Sequence, residues 1–407
     1  MLRPTAISLS PNVQKEDVLT ALKMFFKPRC VIKGKYINLL EEWFKNFYHV
    51  SHSISFISGR GALYATLKSL NVIQGDEVIM QAFTCVAVCD PIISLGAKPV
   101  YCDITQSLTI EPLDIERKIT NKTKVIIVQH TFGIPANMRA IIEIAKKHKI
   151  AVIEDCAHII GAEYENKKLG LFGDAAIFSF GRDKAFSSVF GGMVLTDNDV
   201  LGKKIEVFQE KLNYPSFLWS LQQLFHPVAL SVVLPLYNFL SLGKLLLVFL
   251  QSIHFLSFPV SKEEKEGFLP ISYVKKLPNS LALLVLLQLK KMKVYNKKRQ
   301  EFARLYLKSF HSYELPYKKP ISFLRFPVLI ENRDKVLKNL TREGIYLGKW
   351  YSEIIDPKGV NFDKIYYTKG MCPNAEKIAE KIINLPTYPI MSNKEAERVV
   401  KVFKKYV

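Results

Sequence analysis

Ile150-Ala-Val-Ile-Glu-Asp-Cys-Ala-His158, followed downstream by Ala175-Ala-Ile-Phe-Ser-Phe-Gly-Arg-Asp-Lys184, decides how this chain reads. Each stretch starts as a short apolar run and ends in polar residues able to do chemistry. That is how a strand buried on both faces looks when its carboxyl end opens onto a site. Working outward, comparable runs recur at Glu77–Met80, Pro99–Tyr101, Lys124–Val128 and Gly192–Thr196, with helix candidates between them at Ala62–Ser69 and Met138–His148. Such alternation predicts an α/β domain built on a mixed, mostly parallel sheet covered by helices on both faces. Ligands of these sheets sit outside the carboxyl ends of the strands, so the residues just after strands are the ones to search.

Three elements occupy such positions. In Ser58-Gly59-Arg60-Gly61-Ala62-Leu63, small residues lead into a helix. Glycines let a backbone approach an anion closely, and a helix start offers free N–H groups, so the element is either a phosphate cradle or an ordinary tight turn. In Glu154-Asp155-Cys156-Ala157-His158 an acid at a strand end can face a cationic ring nitrogen or a metal, or cap the next helix. In Phe178-Ser179-Phe180-Gly181-Arg182-Asp183-Lys184 a loop lysine follows a strand, with Gly191-Gly192 beyond. Singly, each is weak. Together, a phosphate cradle, an acid for a pyridine nitrogen and a lysine able to form a Schiff base are what pyridoxal phosphate (PLP) requires.

The ordered series of motifs resembles the DegT/StrS-type sugar aminotransferases, PLP enzymes of the aspartate-aminotransferase fold. Val31–Gly34 and Leu40–Phe44 are similar to the start of the family's first helix, and Ser58–Leu63 to its phosphate loop. Gly75–Ile79 with Gly96–Val100, His130–Gly133 with Pro135, Glu154–His158, Phe178–Lys184 with Gly191-Gly192, Cys372–Glu376 and Leu385–Pro389 continue the likeness nearly end to end. The resemblance implies a large PLP-binding α/β domain with a smaller α+β C-terminal domain. It also implies that Lys184 is the Schiff-base lysine, that Asp155 pairs with the pyridinium nitrogen, and that His158 lies near the cofactor's phenolic oxygen. Ser179 and the backbone at Gly59, Arg60 and Gly61 would bind the phosphate. No metal is expected. Relatives turned to sugar dehydration carry histidine at the lysine position, so Lys184 favours transamination. The implied reaction moves an amino group, from glutamate as donor, onto a nucleotide-linked keto-sugar, in amino-sugar and polysaccharide biosynthesis, by a homodimer whose sites draw on both subunits. A PLP-fold protein without turnover and a different PLP-dependent sugar modification are the alternatives.

The chain departs from the family pattern at four places. Cys85 stands where an aromatic ring stacks on the cofactor, and Arg60 replaces a small hydroxyl residue. Val274 aligns with an asparagine that a neighbouring subunit offers, and an apolar stretch at 212–260 replaces a soluble region.

The chain has 407 residues, enough for two domains or one large one, and 57 Lys+Arg against 37 Asp+Glu give a formal charge of +20. With 49% hydrophobic and 12% aromatic residues, disorder, collagen-like sequence and a coiled-coil rod are excluded. Six cysteines without a CxxC pair read as reduced thiols, and the N-terminus has no uninterrupted apolar run ahead of a small-residue cleavage site, so a cytoplasmic protein is expected. Leu212–Gly243 holds no charged residue, and after Lys244 the uncharged run continues over Leu245–Val260. Its length allows a membrane span, but Pro215, Pro227 and Pro235 are expected to interrupt it. A span, an interfacial hairpin and a buried or dimer-contacting insertion all stay open. One long helix is expected over Asn279–Phe310. Lys290, Lys291, Lys293, Lys297, Lys298, Arg299, Arg304 and Lys308 crowd its second half against Glu301 alone, as a solvated face or as a contact with the inner, anionic membrane surface. No nucleic-acid module is recognisable, so nucleic acid is not an expected partner. The expected organisation is a PLP-binding part over 1–211, the apolar insertion over 212–260, the basic helix over 261–310 and a small α+β domain over 311–407.

Overall fold

In the computed structural model, which describes residues 4–7, 12–310 and 321–407, the apolar runs become strands of one seven-stranded sheet. They are β1 (His52–Phe56), β2 (Glu77–Gln81), β3 (Lys98–Cys102), β4 (Thr123–Gln129), β5 (Ala151–Asp155), β6 (Ala175–Ser179) and β7 (Gly192–Thr196). Their order across the sheet is β1-β7-β6-β5-β4-β2-β3, all neighbours parallel except β7, which runs antiparallel to both β1 and β6. Because successive side chains point to opposite faces, Val125 and Ile127 join one hydrophobic core while Ile126 and Val128 join the other. Both faces are covered, which is why these strands read as continuous apolar runs. β1 escaped the apolar pattern because its sequence is His-Ser-Ile-Ser-Phe; its buried Ser55 is satisfied by Glu41, through both amide and hydroxyl.

The helices that matter for the site are α1 (Lys15–Phe25), α2 (Gly59–Ser69), α3 (Phe217–Leu236), α4 (Leu242–Ser252), α5 (Asn279–Leu289), α6 (Met292–Ser309) and α7 (Asn393–Lys404). Toward the C-terminus, β8 (Arg325–Leu329) and β9 (Ile382–Pro386) pair antiparallel, and α7 opens with a Ser392/Glu395 capping box.

Two expectations about helices need correction. Pro227 does not interrupt the apolar stretch: α3 runs through it, and Pro235 falls in its last turn. A proline removes one backbone donor, and here the apolar residues around it, Leu224, Ala229, Leu230 and Val233, are buried, so packing outweighs the lost bond. The long basic helix is two helices, broken at Lys290–Lys291, where the Lys291 ammonium turns to Gln14 and Glu16. Arg299 is not on a solvated face either. It is 1% exposed, and its guanidinium donates to the main-chain carbonyls of Leu324 and Ala185 and to Asn12 Oδ1.

Candidate active site

The strand period of two sends Glu154 and Asp155 in opposite directions at the end of β5. Glu154 accepts from the amides of Gly170, Phe172 and Gly173 and meets His130 Nε2 at 3.1 Å. His130, Glu154 and Cys156 bring ligand-type atoms close together, but His130 Nδ1 also accepts the Ala136 amide, so histidine and acid already serve as hydrogen-bond hubs. Asp155 instead lines a cavity. One of its oxygens accepts the Ala157 amide at 2.9 Å; burial raises its pKa, opposed by that amide and by Lys184.

The end of β6, next to β5, and the end of β1, on the far side of β7, build another part of the cavity wall. Ser58 caps α2 by accepting the Gly61 amide at 3.0 Å, and its hydroxyl donates to the Tyr273 carbonyl at 2.8 Å. Two glycines allow the close approach. A Cβ on Gly59 would stand 3.1 Å from Ser179 Cβ, and one on Gly192 would come within 2.3 Å of the Ser58 carbonyl oxygen. The Ser179 hydroxyl therefore lies beside the first turn of α2, where amide groups and the helix dipole favour an anion. Gly61 sits behind this surface: its amide is taken by the cap, and an added Cβ would strike the Tyr273 oxygen at 2.3 Å.

Lys184 arrives from the loop between β6 and β7. Its amide closes a turn onto the Gly181 carbonyl, and its own carbonyl accepts from Asn12 Nδ2 at 2.8 Å. The neighbouring Ala185 carbonyl receives both Asn12 and the buried Arg299. The main chain is thus fixed from behind, while the ammonium lies 5.3 Å from the Trp350 ring centroid. Burial lowers the lysine's pKa, with Asp155 pulling the other way. A desolvated amine of this kind is more readily neutral, which a nucleophile or base requires.

His158 forms part of the wall. Its Nδ1 accepts the Phe132 amide at 2.9 Å, which leaves the proton on Nε2, 3.1 Å from the Tyr351 hydroxyl. Burial holds the ring well below the usual histidine range, so the neutral form is retained. The Tyr351 oxygen accepts the hydrogen bond from Nε2–H and keeps its own O–H for another partner.

Ser58, Gly59, Arg60, Asp155, His158, Ser179 and Lys184 all line one cavity of about 140 Å³. Of the residues expected at the site, only Gly61 stands outside its lining. The Arg60 guanidinium does not turn to an anion site. It pairs with the fully buried Glu264 at 2.8 Å, donates to the Pro259 carbonyl and lies over the Tyr273 ring. Arg182 holds the same connection through Ser257, bonding both its carbonyl and its hydroxyl. Cys85 lines the cavity as a thiol that burial pushes up to about 12. The aromatic surface comes from Trp350, Tyr351 and Phe190 instead. Sequence reasoning missed Trp350 and Tyr351 because nothing local marks them. They join the site only when the segment before β9 folds over the sheet, where Trp350 also receives the Arg325 guanidinium 3.5 Å from its ring centroid.

A family model described as the DegT/DnrJ/EryC1/StrS aminotransferase family matches residues 12–213 and 252–404. The chain is similar to an uncharacterized protein of Methanocaldococcus jannaschii, 30% identical over 390 residues, which cover 90% of this chain and 89% of the relative. It is also similar to the UDP-N-acetyl-3-dehydro-alpha-D-glucosamine 3-aminotransferase of Acidithiobacillus ferrooxidans, at 27% identity over 402 residues, 96% of this chain and 94% of the relative. Among solved structures, Helicobacter pylori PseC, an aminotransferase involved in the biosynthesis of pseudoaminic acid, aligns with a TM-score of 0.76 at 22% identity, covering 99% of both chains.

Proposed function

The chain belongs to the DegT/DnrJ/EryC1/StrS aminotransferase family, and from that premise we propose that it is a PLP-dependent aminotransferase moving an amino group from glutamate onto a keto-sugar carried by a nucleotide. The observation that carries this reading is the meeting of Lys184, Asp155, Ser179 and the start of α2 around one cavity. The donor set fits the cofactor. A glycine-lined cup with a hydroxyl suits a phosphate, a buried carboxylate suits a protonated ring nitrogen, and a desolvated lysine suits an aldehyde.

When bound, PLP supplies a ring that withdraws electrons from the carbon losing its proton. This chain's residues do the rest. Ser179 and the first amides of α2 hold the phosphate and so fix the ring's position. Asp155 would hold the ring nitrogen in its protonated form. Lys184 would hold the cofactor and carry the proton on its Nζ, kept on course by a main chain that Asn12 and Arg299 anchor. His158, with its proton on Nε2, orients Tyr351, whose hydroxyl is left to donate into the cavity. Trp350 and Tyr351 stand in for the ring absent at Cys85.

The reading includes a homodimer, a cytoplasmic setting and a cofactor-binding part over 1–211 with a small C-terminal part over 311–407. The test is a half-reaction screen. PLP-supplemented protein should show a visible absorption band that glutamate removes and that one of a panel of keto-sugar nucleotides restores. Absence of any band would overturn the reading, and a band indifferent to glutamate would favour a PLP-fold protein without turnover.

For Arg60 the proposal is a clamp on the 257–264 connection. Arg60→Ala leaves Glu264 buried and unpaired, so stability in urea should fall by about 3–5 kcal/mol. PLP affinity of the folded variant should stay within a few-fold of the parent. A large loss of affinity with stability unchanged would make the guanidinium a phosphate ligand instead.

A further inference from the structure

We propose that the surface formed by α3, α4 and the C-terminal end of α1 docks peripherally on an anionic lipid bilayer. One side of α4, Leu246, Leu247 and Leu250, packs on Leu230, Val233 and Leu234 of α3. The opposite side is apolar as well, yet exposed: Leu242, Leu245, Val248, Phe249 and, just beyond, Ile253, with Leu245 and Val248 more than 60% accessible. Apart from Lys244 near its start and Gln251-Ser252 at its end, α4 is apolar on both sides, and an exposed apolar side of a helix suits a membrane interface. The surface continues through Phe255 into an apolar groove of about 440 Å³ lined also by Phe25 of α1 and by Leu218 and Phe225 of α3.

Charge selects the occupant. Residues 212–260 contain no acid, and residues 18–40 contain Lys23, Lys27, Arg29, Lys33 and Lys35 with no acid among them. All five cations are exposed, and none has an ion-pair partner among the described residues. A second copy meeting this face would bring like charges together, whereas anionic headgroups complement them while the apolar side chains enter the acyl boundary. The family match omits residues 214–251, so this hairpin is an addition to the family frame. α3 is long and apolar enough to cross a bilayer, but half of its apolar window is buried, with α1 and α5 packed along it, which suits lying on the membrane and not spanning it. The cations concerned belong to the α1 region; on α6, Arg299 is buried, and at the head of that helix Lys291 is paired with Glu16.

The test is co-sedimentation of the full-length, PLP-loaded protein with vesicles of phosphatidylglycerol and phosphatidylcholine, against phosphatidylcholine alone. The protein should pellet with the anionic vesicles and be released by salt. Leu245→Asp/Phe249→Asp should lower partitioning by tenfold or more, and Lys27→Gln/Arg29→Gln/Lys33→Gln by about a hundredfold on anionic vesicles. Both variants should keep the parent's visible absorption, which certifies their fold. Equal binding to both vesicle types, or undiminished binding by either variant, would overturn the proposal. So would a wild type that stays in the supernatant, and if Leu245→Asp/Phe249→Asp then abolished self-association in solution, the face would belong to a second copy.

Discussion

Lys184→Ala is expected to remove the visible absorption of lysine-bound cofactor and to lower turnover by about 10²–10⁴-fold or more, the range for losing a positioned proton-transfer group. The fold should survive. Lys184 is held through its main chain, by Asn12 Nδ2 and the Gly181 turn, and those bonds do not depend on the side chain. PLP should still bind through the phosphate cup, so binding measured by equilibrium dialysis would persist while the band is gone. Partial recovery of the half-reaction by added small amines would assign the loss to the missing amine and not to a displaced loop. A variant that retained the band would show that another residue holds the cofactor.

Asp155→Asn is the second large effect. Asparagine keeps an oxygen to accept the Ala157 amide, the one hydrogen bond this side chain makes among the described residues. Only the charge is lost. If Asp155 were merely a cap, the substitution would be close to neutral. If it holds the ring nitrogen protonated, the glutamate half-reaction should slow by about 10²–10³-fold, as for loss of one preorganised electrostatic group, with the visible band still present. Stopped-flow absorbance separates the two, since a rate within a few-fold of the parent would return Asp155 to a structural role. Glu154→Gln serves as the contrast. That residue faces the other way, onto three loop amides and His130, so its replacement should cost stability before it costs rate.

Much of the large part was legible because its signals are local. Met138–His148 is a helix at the boundaries its pattern predicts, and the runs at Lys124, Ile150 and Ala175 all became strands of one sheet. β1 was harder to see, since its Ser55 is satisfied by Glu41 and its Ser53 by Met193, both from other elements, and the sequence shows only an interruption of apolarity. Pro227 misled for a related reason: a local rule about backbone donors was outweighed by burial that depends on α1 and α5 packing along α3.

At the site, the amino acids themselves determined which chemistry was available. An acid at a strand end, a lysine in the next loop and a glycine-lined helix start have those properties wherever the chain places them, and short-range strand and turn geometry is enough to aim them. What only the tertiary structure decided is which partner each charged or aromatic group meets. Arg60 faces the carboxylate of Glu264 and not the phosphate cup, Arg299 is buried against main-chain carbonyls behind Lys184, and Trp350 and Tyr351 fold over the sheet to supply the wall that Cys85 does not. A side chain's charge and shape are properties of its residue, whereas its partner depends on contacts between segments more than a hundred residues apart, and no local pattern encodes those.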